Sequence, residues 1–164
     1  GKLRTLFVVP HADSRSFFYG MNFEFSYNAL HWDARRYTSE IRPIVGIHLF
    51  QKGSKHQVPR WDFIYNPILD NSWAGGFKSL QFNPAGRVAY HLNPSWAVAF
   101  EQYSGFGELR EFVPAADEIQ QSWAVMDHYG SGEKGLDIEY GIGFGETAAS
   151  DKITLKLMFS RNFN

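Results

Sequence analysis

Residues 16–30 read SFFYGMNFEFSYNAL and show a clear alternation of apolar and polar residues. The odd positions of this stretch carry large apolar side chains, which are Phe17, Tyr19, Met21, Phe23, Phe25 and Tyr27. The positions between them are mostly small or polar, and they include the carboxylate of Glu24. Because successive residues of a strand point to opposite faces of a sheet, the stretch predicts a β-strand with one wide apolar face and one polar face.

The same period of two recurs in seven further segments, which are residues 38–50, 60–70, 80–92, 96–103, 122–129, 136–145 and 152–163. The alternation is least regular in 122–129, where Met126 and Asp127 interrupt it. The best helix candidate, residues 114–121, is two turns at most and lies inside the long loop 105–120. Tight turns alternate with longer loops, which is typical of an up-and-down meander. We therefore predict an all-β, antiparallel up-and-down transmembrane β-barrel of at least eight strands, forming one domain over residues 1–164.

Composition excludes several classes of protein. The chain has 164 residues, a net charge of −1 and no cysteine, so neither nucleic-acid binding nor a disulfide scaffold is indicated. No apolar run is long enough for a membrane-spanning helix, and the mean hydropathy is −0.33. The aromatic content is high, with 15 Phe, 8 Tyr and 5 Trp. Lipid-facing strands alternate with polar positions, so a hydropathy average does not detect them.

The volume of the side chains indicates which face points outward. A small barrel has an interior only wide enough for side chains to fill, and the many aromatic rings do not fit there together. The opposite face is rich in Gly and Ala, which suit a narrow lumen. We therefore expect a set of aromatic residues to face lipid or form interfacial girdles: Phe17, Tyr19, Phe23, Phe25, Trp61, Phe63, Tyr65, Trp96, Tyr140, Phe144, Phe159 and Phe163. A soluble, lipocalin-like carrier is the alternative arrangement.

Two features do not fit a simple eight-stranded barrel. Residues 3–9 look like a ninth strand, so residues 1–15 are either an extra strand or the remnant of missing N-terminal strands, and we favour a chain that is part of a larger barrel. Pro43, Pro67 and Pro84 lie inside predicted strands, where we expect bulges, register kinks or nearby strand ends.

Several phrases of the sequence carry a family resemblance. They are FFYGMNFEFSYN, TSEIRPIVGIH, FIYNPILD, NPAGRVAYHL, WAVAFEQYSGFGELREF and DIEYGIGFGETAASDKITLKLMFSRNF. Together they resemble a proteobacterial outer-membrane β-barrel family of unassigned function, grouped with porin-like transporters of the phenol-degradation type. The resemblance implies a Gram-negative outer-membrane location and additional N-terminal strands. The C-terminal strand also resembles the signal read by the barrel-assembly machinery, with Phe163, Phe159, Leu157 and Leu155 in place.

The polar face of such a barrel would line its lumen. The predicted lining residues are Glu24, Glu40, Arg42, Asp62, Asp70, Arg87, Glu101, Asp137, Glu139 and Lys156. They are mostly acidic, and we expect Arg42 and Arg87 each to bridge two carboxylates. The favoured function is a porin-like channel for small polar or aromatic solutes, with the lipid bilayer as its environment. The alternative is a closed structural barrel whose outer loops bind a partner.

Catalysis and cofactor binding find little support in the sequence. A lipid-remodelling hydrolase would need a nucleophile with its base at the membrane rim, and His128 with Ser131 or His31 with Asp33 are unspecific pairs. The histidines make no recognisable metal-ligand set, and the GIGFG segment lies within a strand rather than before a helix. We therefore expect neither enzyme activity, nor a metal, nor a cofactor.

Overall fold

A computed structural model describes residues 1–31, 36–50, 59–72, 80–130 and 135–161. These residues form one antiparallel sheet and no α-helix; a 3-10 turn covers Ala12–Ser14. The strands are β1 (Lys2–Val8), β2 (Phe17–Tyr27), β3 (Tyr37–Phe50), β4 (Pro59–Asn66), β5 (Leu69–Ser72), β6 (Leu80–Phe82), β7 (Ala85–Asn93), β8 (Trp96–Gly105), β9 (Gly107–Glu108), β10 (Glu111–Phe112), β11 (Ile119–His128), β12 (Leu136–Gly145) and β13 (Ile153–Arg161). The all-β antiparallel fold predicted from the alternation is confirmed.

Several short strands are pieces of longer ones. β4 and β5 pair with β3 in a single register, because Val45 faces Tyr65 and Ile41 faces Leu69. β6 and β7 likewise pair with β5 and β4 in one register. The described sheet is therefore a meander of nine long strands running from β1 to β13.

The two ends of this meander do not pair with each other. β1 pairs with β2, so residues 3–9 do contribute a ninth strand, as one of the two interpretations of the N-terminal segment had it. β1 and β13 are the two edges of the sheet, and the sheet is not closed among the described residues.

The three strand prolines lie side by side. By the registers of β3–β5, Pro43 stands opposite Pro67, and by those of β4–β7 and β5–β6, Pro67 stands opposite Pro84. Since proline has no N–H, the hydrogen-bond ladder is interrupted at this one row, where β4 and β6 end and β5 and β7 begin. Of the alternatives expected at the prolines, strand ends are found at Pro67 and Pro84, whereas Pro43 lies inside the continuous β3. The register shifts lie elsewhere, at Leu49/Phe50 and His91/Asn93.

The long loop 105–120 has more strand structure than the sequence predicted. Gly107 has φ 84°, a conformation that favours glycine, and it links β8 to the short β9–β10 hairpin. The best helix candidate, residues 114–121, is not helical: the chain makes one turn there, closed by the Asp117 N–H donating to the Pro114 carbonyl, and β11 begins at Ile119. A single turn too short to propagate a helix explains the difference.

The two faces of the sheet differ sharply in polarity. The outer face, defined here as the face that carries Phe17, leaves its large apolar side chains exposed, and the inner face, which carries Glu24, is largely buried. Exposed outer residues include Phe17, Tyr19, Phe23, Phe25, Tyr27, Ile41, Val45, Ile47, Trp61, Phe63, Tyr65, Phe100, Tyr140, Phe144, Ile153, Leu155, Leu157 and Phe159. Buried inner residues include Glu24, Ser26, His91, Ala97, Glu101 and Asp127. This is the reverse of the usual soluble arrangement.

Two inner aromatic rings explain two of the glycines. Phe18 lies opposite Gly46 and Trp123 lies opposite Gly143, and in each case a Cβ on the glycine would overlap the ring. Gly86, on the outer face, has open space instead, with the nearest atom 3.9 Å from an added Cβ. Gly46 and Gly143 therefore leave space for the aromatic rings of the residues opposite them, a cross-strand pairing known to stabilise sheets.

We expect Gly46→Ala to lower the free energy of unfolding by about 1–3 kcal/mol, because the new methyl group displaces the Phe18 ring. Gly86→Ala is the matched control, and it should leave stability unchanged or raise it by up to about 1 kcal/mol. Urea unfolding of both variants and the parent chain measures the difference. Equal effects of the two substitutions would contradict the seating of Phe18 on Gly46.

Candidate functional site: the polar inner face

Arg87 is the hub of the inner face. Its guanidinium group, on β7, forms ion pairs with Glu101 on β8 and Asp127 on β11, and lies 3.7 Å from Glu139 on β12. The side chain of Arg87 is 20% exposed and those of Glu101 and Asp127 are 5% and 6% exposed. Buried charges of this kind are tolerated only when they are paired, so the hub binds four neighbouring strands together.

Lys156 on β13 completes this cluster. Its ammonium group lies 2.6 Å from Glu101 and 2.7 Å from Glu139. The Tyr103 hydroxyl donates to Glu101 at 2.9 Å, and the Lys156 ammonium lies 5.3 Å from the centre of the Trp123 ring. The central cluster, which we define as Arg87, Glu101, Asp127, Glu139 and Lys156, therefore extends across five strands.

Small residues make room for these long side chains. Arg87 is in register with Glu101, whereas Asp127 is in register with Ala97, four residues from Glu101 along β8. To reach Asp127 the Arg87 side chain must pass over the row between them, which contains Ala89 and Ala99. Ala89 is 2% exposed and Ala97 is 0% exposed, so the cluster covers them. The small residues of the inner face, predicted from volume alone, thus have a specific use.

A second group of charges lies on β1–β3. Glu24, with its side chain 7% exposed, is 2.6 Å from both Lys2 and Arg4 on the edge strand β1. Arg42 donates to Glu40 at 2.8 Å. The expectation that Arg87 bridges two carboxylates is confirmed, and a third carboxylate lies nearby. The described contact of Arg42 is with the single carboxylate of Glu40.

A third group consists of two histidines that share one carboxylate. His48 Nδ1 lies 2.6 Å from one oxygen of Asp62, and His91 Nε2 lies 2.5 Å from the other. The His48 ring stacks on Phe18 with centroids 4.5 Å apart, and the His91 ring stacks on Tyr129 at 5.9 Å. No group of three or more His, Cys, Asp or Glu residues suited to a metal ion occurs in the part of the chain that the structure describes.

A cavity of about 630 Å³ opens on the inner face. Its lining combines residues from both ends of the sheet, namely Arg4, Arg42, Arg87, Glu101, Tyr103, Asp127, His128, Tyr129, Asp137, Ile138, Glu139, Lys156, Met158 and Ser160. Because β1 and β13 are opposite edges, the sheet must curl with its polar face concave. The lining carries four carboxylates and four cations, so its charge is more evenly balanced than the acidic lumen that the sequence predicted.

Tyr129 stands at the end of this cavity, directly after β11. Burial and the neighbouring carboxylate of Asp127 raise the pKa of Tyr129 to about 12. Its hydroxyl donates to Asp127 at 3.5 Å. The phenol therefore stays neutral near pH 7 and adds a hydrogen-bond donor, not a charge, to the cavity.

Most of the predicted lining residues belong to these three groups, and the other two have further described partners. Asp70 accepts a hydrogen bond from Asn83 at 3.3 Å, and Asp137 accepts one from the Gly130 N–H at 2.9 Å. Sequence reasoning missed Lys2, Arg4 and Asp127 as members of the groups. Alternation could not place Asp127, because it shares its face with the apolar Trp123 and Val125.

The predicted outer aromatics are exposed with two exceptions. Trp96 is half-buried and packs edge-on against His128. Phe163 lies outside the described residues, as do Ser131 and Asp33 of the unspecific catalytic pairs.

The apolar outer residues form a belt that runs obliquely across the sheet. One register row joins Phe17, Ile47, Phe63, Val88 and Phe100. Phe17 begins the apolar stretch of β2, whereas Phe100 is the last apolar outer residue of β8 before Gln102 and Ser104. The belt therefore does not follow the hydrogen-bond rows.

The slope of the belt can be measured from the registers. Following the paired residues across the sheet from Lys156, which is midway along the apolar stretch of β13, leads to Ser16, the residue before β2. The middle of the apolar stretch of β2 is Asn22, six residues from Ser16, so over the steps from β2 to β13 the belt drifts on average by about one residue per strand, with the drift on the β2–β7 side. This average corresponds to a strand tilt of roughly 30–35°. Strands of membrane barrels tilt by about 35–45°.

Polar side chains end the belt on β8 and β11. Ser122 donates to Gln102 at 2.7 Å, and Ser104 donates to Gln120 at 2.7 Å. These four residues share the outer face with Phe100 and lie toward the loop 105–120. The belt thus has a polar boundary where the strands approach this loop.

Comparison with known proteins adds no identity. No protein-family model, curated protein or solved structure matches this chain. The resemblance to an outer-membrane barrel family therefore stays a prediction. Among the described residues no helix is long and apolar enough to cross a membrane.

We expect Arg87→Gln to lower the free energy of unfolding by about 3–5 kcal/mol, since it leaves the buried Glu101 and Asp127 without their shared cation. Arg15→Gln, at an exposed residue that contacts the Pro10 carbonyl, is the control and should cost little.

Urea unfolding gives both values, and adding Asp127→Asn to Arg87→Gln should recover part of the loss. An Arg87→Gln variant as stable as the control would mean that the central cluster does not hold the strands together.

Proposed function

We propose that this chain forms the wall of a bacterial outer-membrane β-barrel, with the outer face in lipid and the inner face lining a porin-like passage for small polar solutes. The observation that carries the proposal is the oblique apolar belt. Its exposed side chains are far more extensive than the apolar patches of soluble proteins. Its slope is close to the one that lipid imposes when strands cross a bilayer at a tilt.

The inner face gives a second line of support for the proposal. A soluble barrel of the lipocalin type keeps apolar side chains inside, whereas this sheet buries ion pairs on its concave side and opens a charged cavity there. Ion pairs of this kind suit a hydrated lumen, in which polar solutes replace part of their hydration by contacts with the wall. The open edges β1 and β13 would have to be closed by pairing in the membrane, because unpaired strand edges are not tolerated in hydrocarbon.

The assembly route follows from the same proposal. β13 presents Leu155, Leu157 and Phe159 on one face, the pattern that we predict the barrel-assembly machinery to read. Catalysis is not part of the proposal.

An arginine substituted into the apolar belt tests whether the belt contacts lipid or water. We expect Leu157→Arg to lower the stability of the vesicle-inserted protein by about 2–4 kcal/mol, the cost of an arginine near the bilayer midplane. Leu109→Arg is the control, because Leu109 is an exposed leucine on the β9–β10 turn, outside the belt.

The measurement is urea unfolding from lipid vesicles. In water both leucines are exposed, so both substitutions would be nearly neutral. A chain that folds without lipid or detergent and tolerates both arginines equally would contradict the membrane assignment.

Passage is tested by single-channel recording of the purified chain in a planar bilayer. We expect steady conductance with weak ion preference, because the cavity carries equal numbers of carboxylates and cations. Asp137→Asn should shift the preference toward anions and Arg42→Gln toward cations, while Asp151→Asn, at an exposed residue outside the cavity lining, should leave it unchanged.

A folded barrel that stays electrically silent would exclude the passage and favour the closed structural barrel, with loop 105–120 as the partner-binding part.

A further inference from the structure

The cavity on the inner face has two walls of opposite charge. One wall comes from β1 and β3 and presents Arg4 and Arg42. The facing wall comes from β11 and β12 and presents Asp127, Asp137 and Glu139. Arg87 and Glu101, from β7 and β8, lie on the strands between the two walls.

The charges of each wall do not cancel within that wall. On the β1–β3 side, the cavity lining contains the two cations Arg4 and Arg42, whose partners Glu24 and Glu40 are not part of the lining. On the other side, Arg87 and Lys156 stand among Glu101, Asp127 and Glu139, and Asp137 adds a further carboxylate. Among the described residues that side has two carboxylates in excess.

This separation produces a field across the cavity. Oppositely charged walls a cavity's width apart orient any molecule that carries both a positive and a negative group, and low-dielectric surroundings strengthen the effect. A neutral polar solute gains less from it because its dipole is smaller, and a simple ion is attracted to one wall and repelled by the other.

We propose that the cavity selects small zwitterions, molecules such as amino acids with one ammonium and one carboxylate group, over neutral solutes of the same size. The inference rests on the proposed passage and names its solute class. The carboxylate of the solute faces Arg4 and Arg42, and its ammonium group faces Asp137 and Glu139. No covalent step is involved.

The test compares two isomers in vesicles that contain the purified chain. Alanine is a zwitterion and lactamide is a neutral molecule of the same composition, so size does not separate them. Osmotic swelling rates, after subtraction of the rates of protein-free vesicles, give the protein-dependent entry of each. We expect alanine to enter at least about twofold faster than lactamide, because the walls raise its local concentration.

Two double variants test whether the charged walls cause the difference between alanine and lactamide entry. Arg4→Gln combined with Asp137→Asn should reduce the alanine-to-lactamide ratio to one or below, because each wall loses a charge. Asp137→Asn keeps an oxygen that can accept the Gly130 N–H, and Glu24 keeps Lys2 when Arg4 is replaced, so the fold should survive. Arg15→Gln combined with Asp151→Asn, two exposed residues outside the cavity lining, is the matched control and should leave the ratio unchanged.

The outcomes separate the two proposals. If lactamide enters and the parent chain has an alanine-to-lactamide ratio of one, the zwitterion preference is overturned while the proposed passage remains. A parent ratio above one that the double variant does not alter would also overturn it, because the preference would then arise elsewhere. Entry of neither solute would overturn the passage and the preference together.

Discussion

The ion pairs of Arg87 are the interaction on which the arrangement of both faces depends. One guanidinium group meets carboxylates from β8, β11 and β12, and Lys156 extends the cluster to β13. Such a cluster forms only where the strands curl toward one another and small residues leave room beneath the long side chains. Once the charged face is concave, the aromatic side chains of the same strands must point outward, because neighbouring residues alternate.

The backbone accommodates this curvature at a few defined places. The row of Pro43, Pro67 and Pro84 interrupts the hydrogen bonds between β3, β5 and β6 without changing the register. Gly46 and Gly143 accept the rings of Phe18 and Trp123 on the inner face, where a larger residue would push the strands apart. The oblique belt follows from the same geometry, since strands that coil around an axis are tilted relative to any plane perpendicular to it.

The sequence alone allowed the strands and their faces to be predicted, because strict alternation such as that of residues 17–27 has few other interpretations. It also placed Glu24, Arg87 and Glu101 on one face. Alternation carries no register, however, so it could not show that three prolines lie in one row or that Asp127 reaches Arg87 across 40 residues. The balance of charge in the cavity was missed for the same reason, since Arg4 lies on a strand whose pairing with β2 is not encoded in its own pattern.

The central claim is that the outer face meets hydrocarbon and the inner face does not. Two variants with one tryptophan each test it, one keeping Trp61 on the outer face and the other keeping Trp123 on the inner face, with the other tryptophans replaced by phenylalanine. Vesicles made with lipids brominated on their acyl chains quench tryptophan fluorescence on contact. We predict strong quenching of Trp61 and little quenching of Trp123. If neither tryptophan is quenched, or if Trp123 is quenched as strongly as Trp61, the assignment of the two faces is wrong.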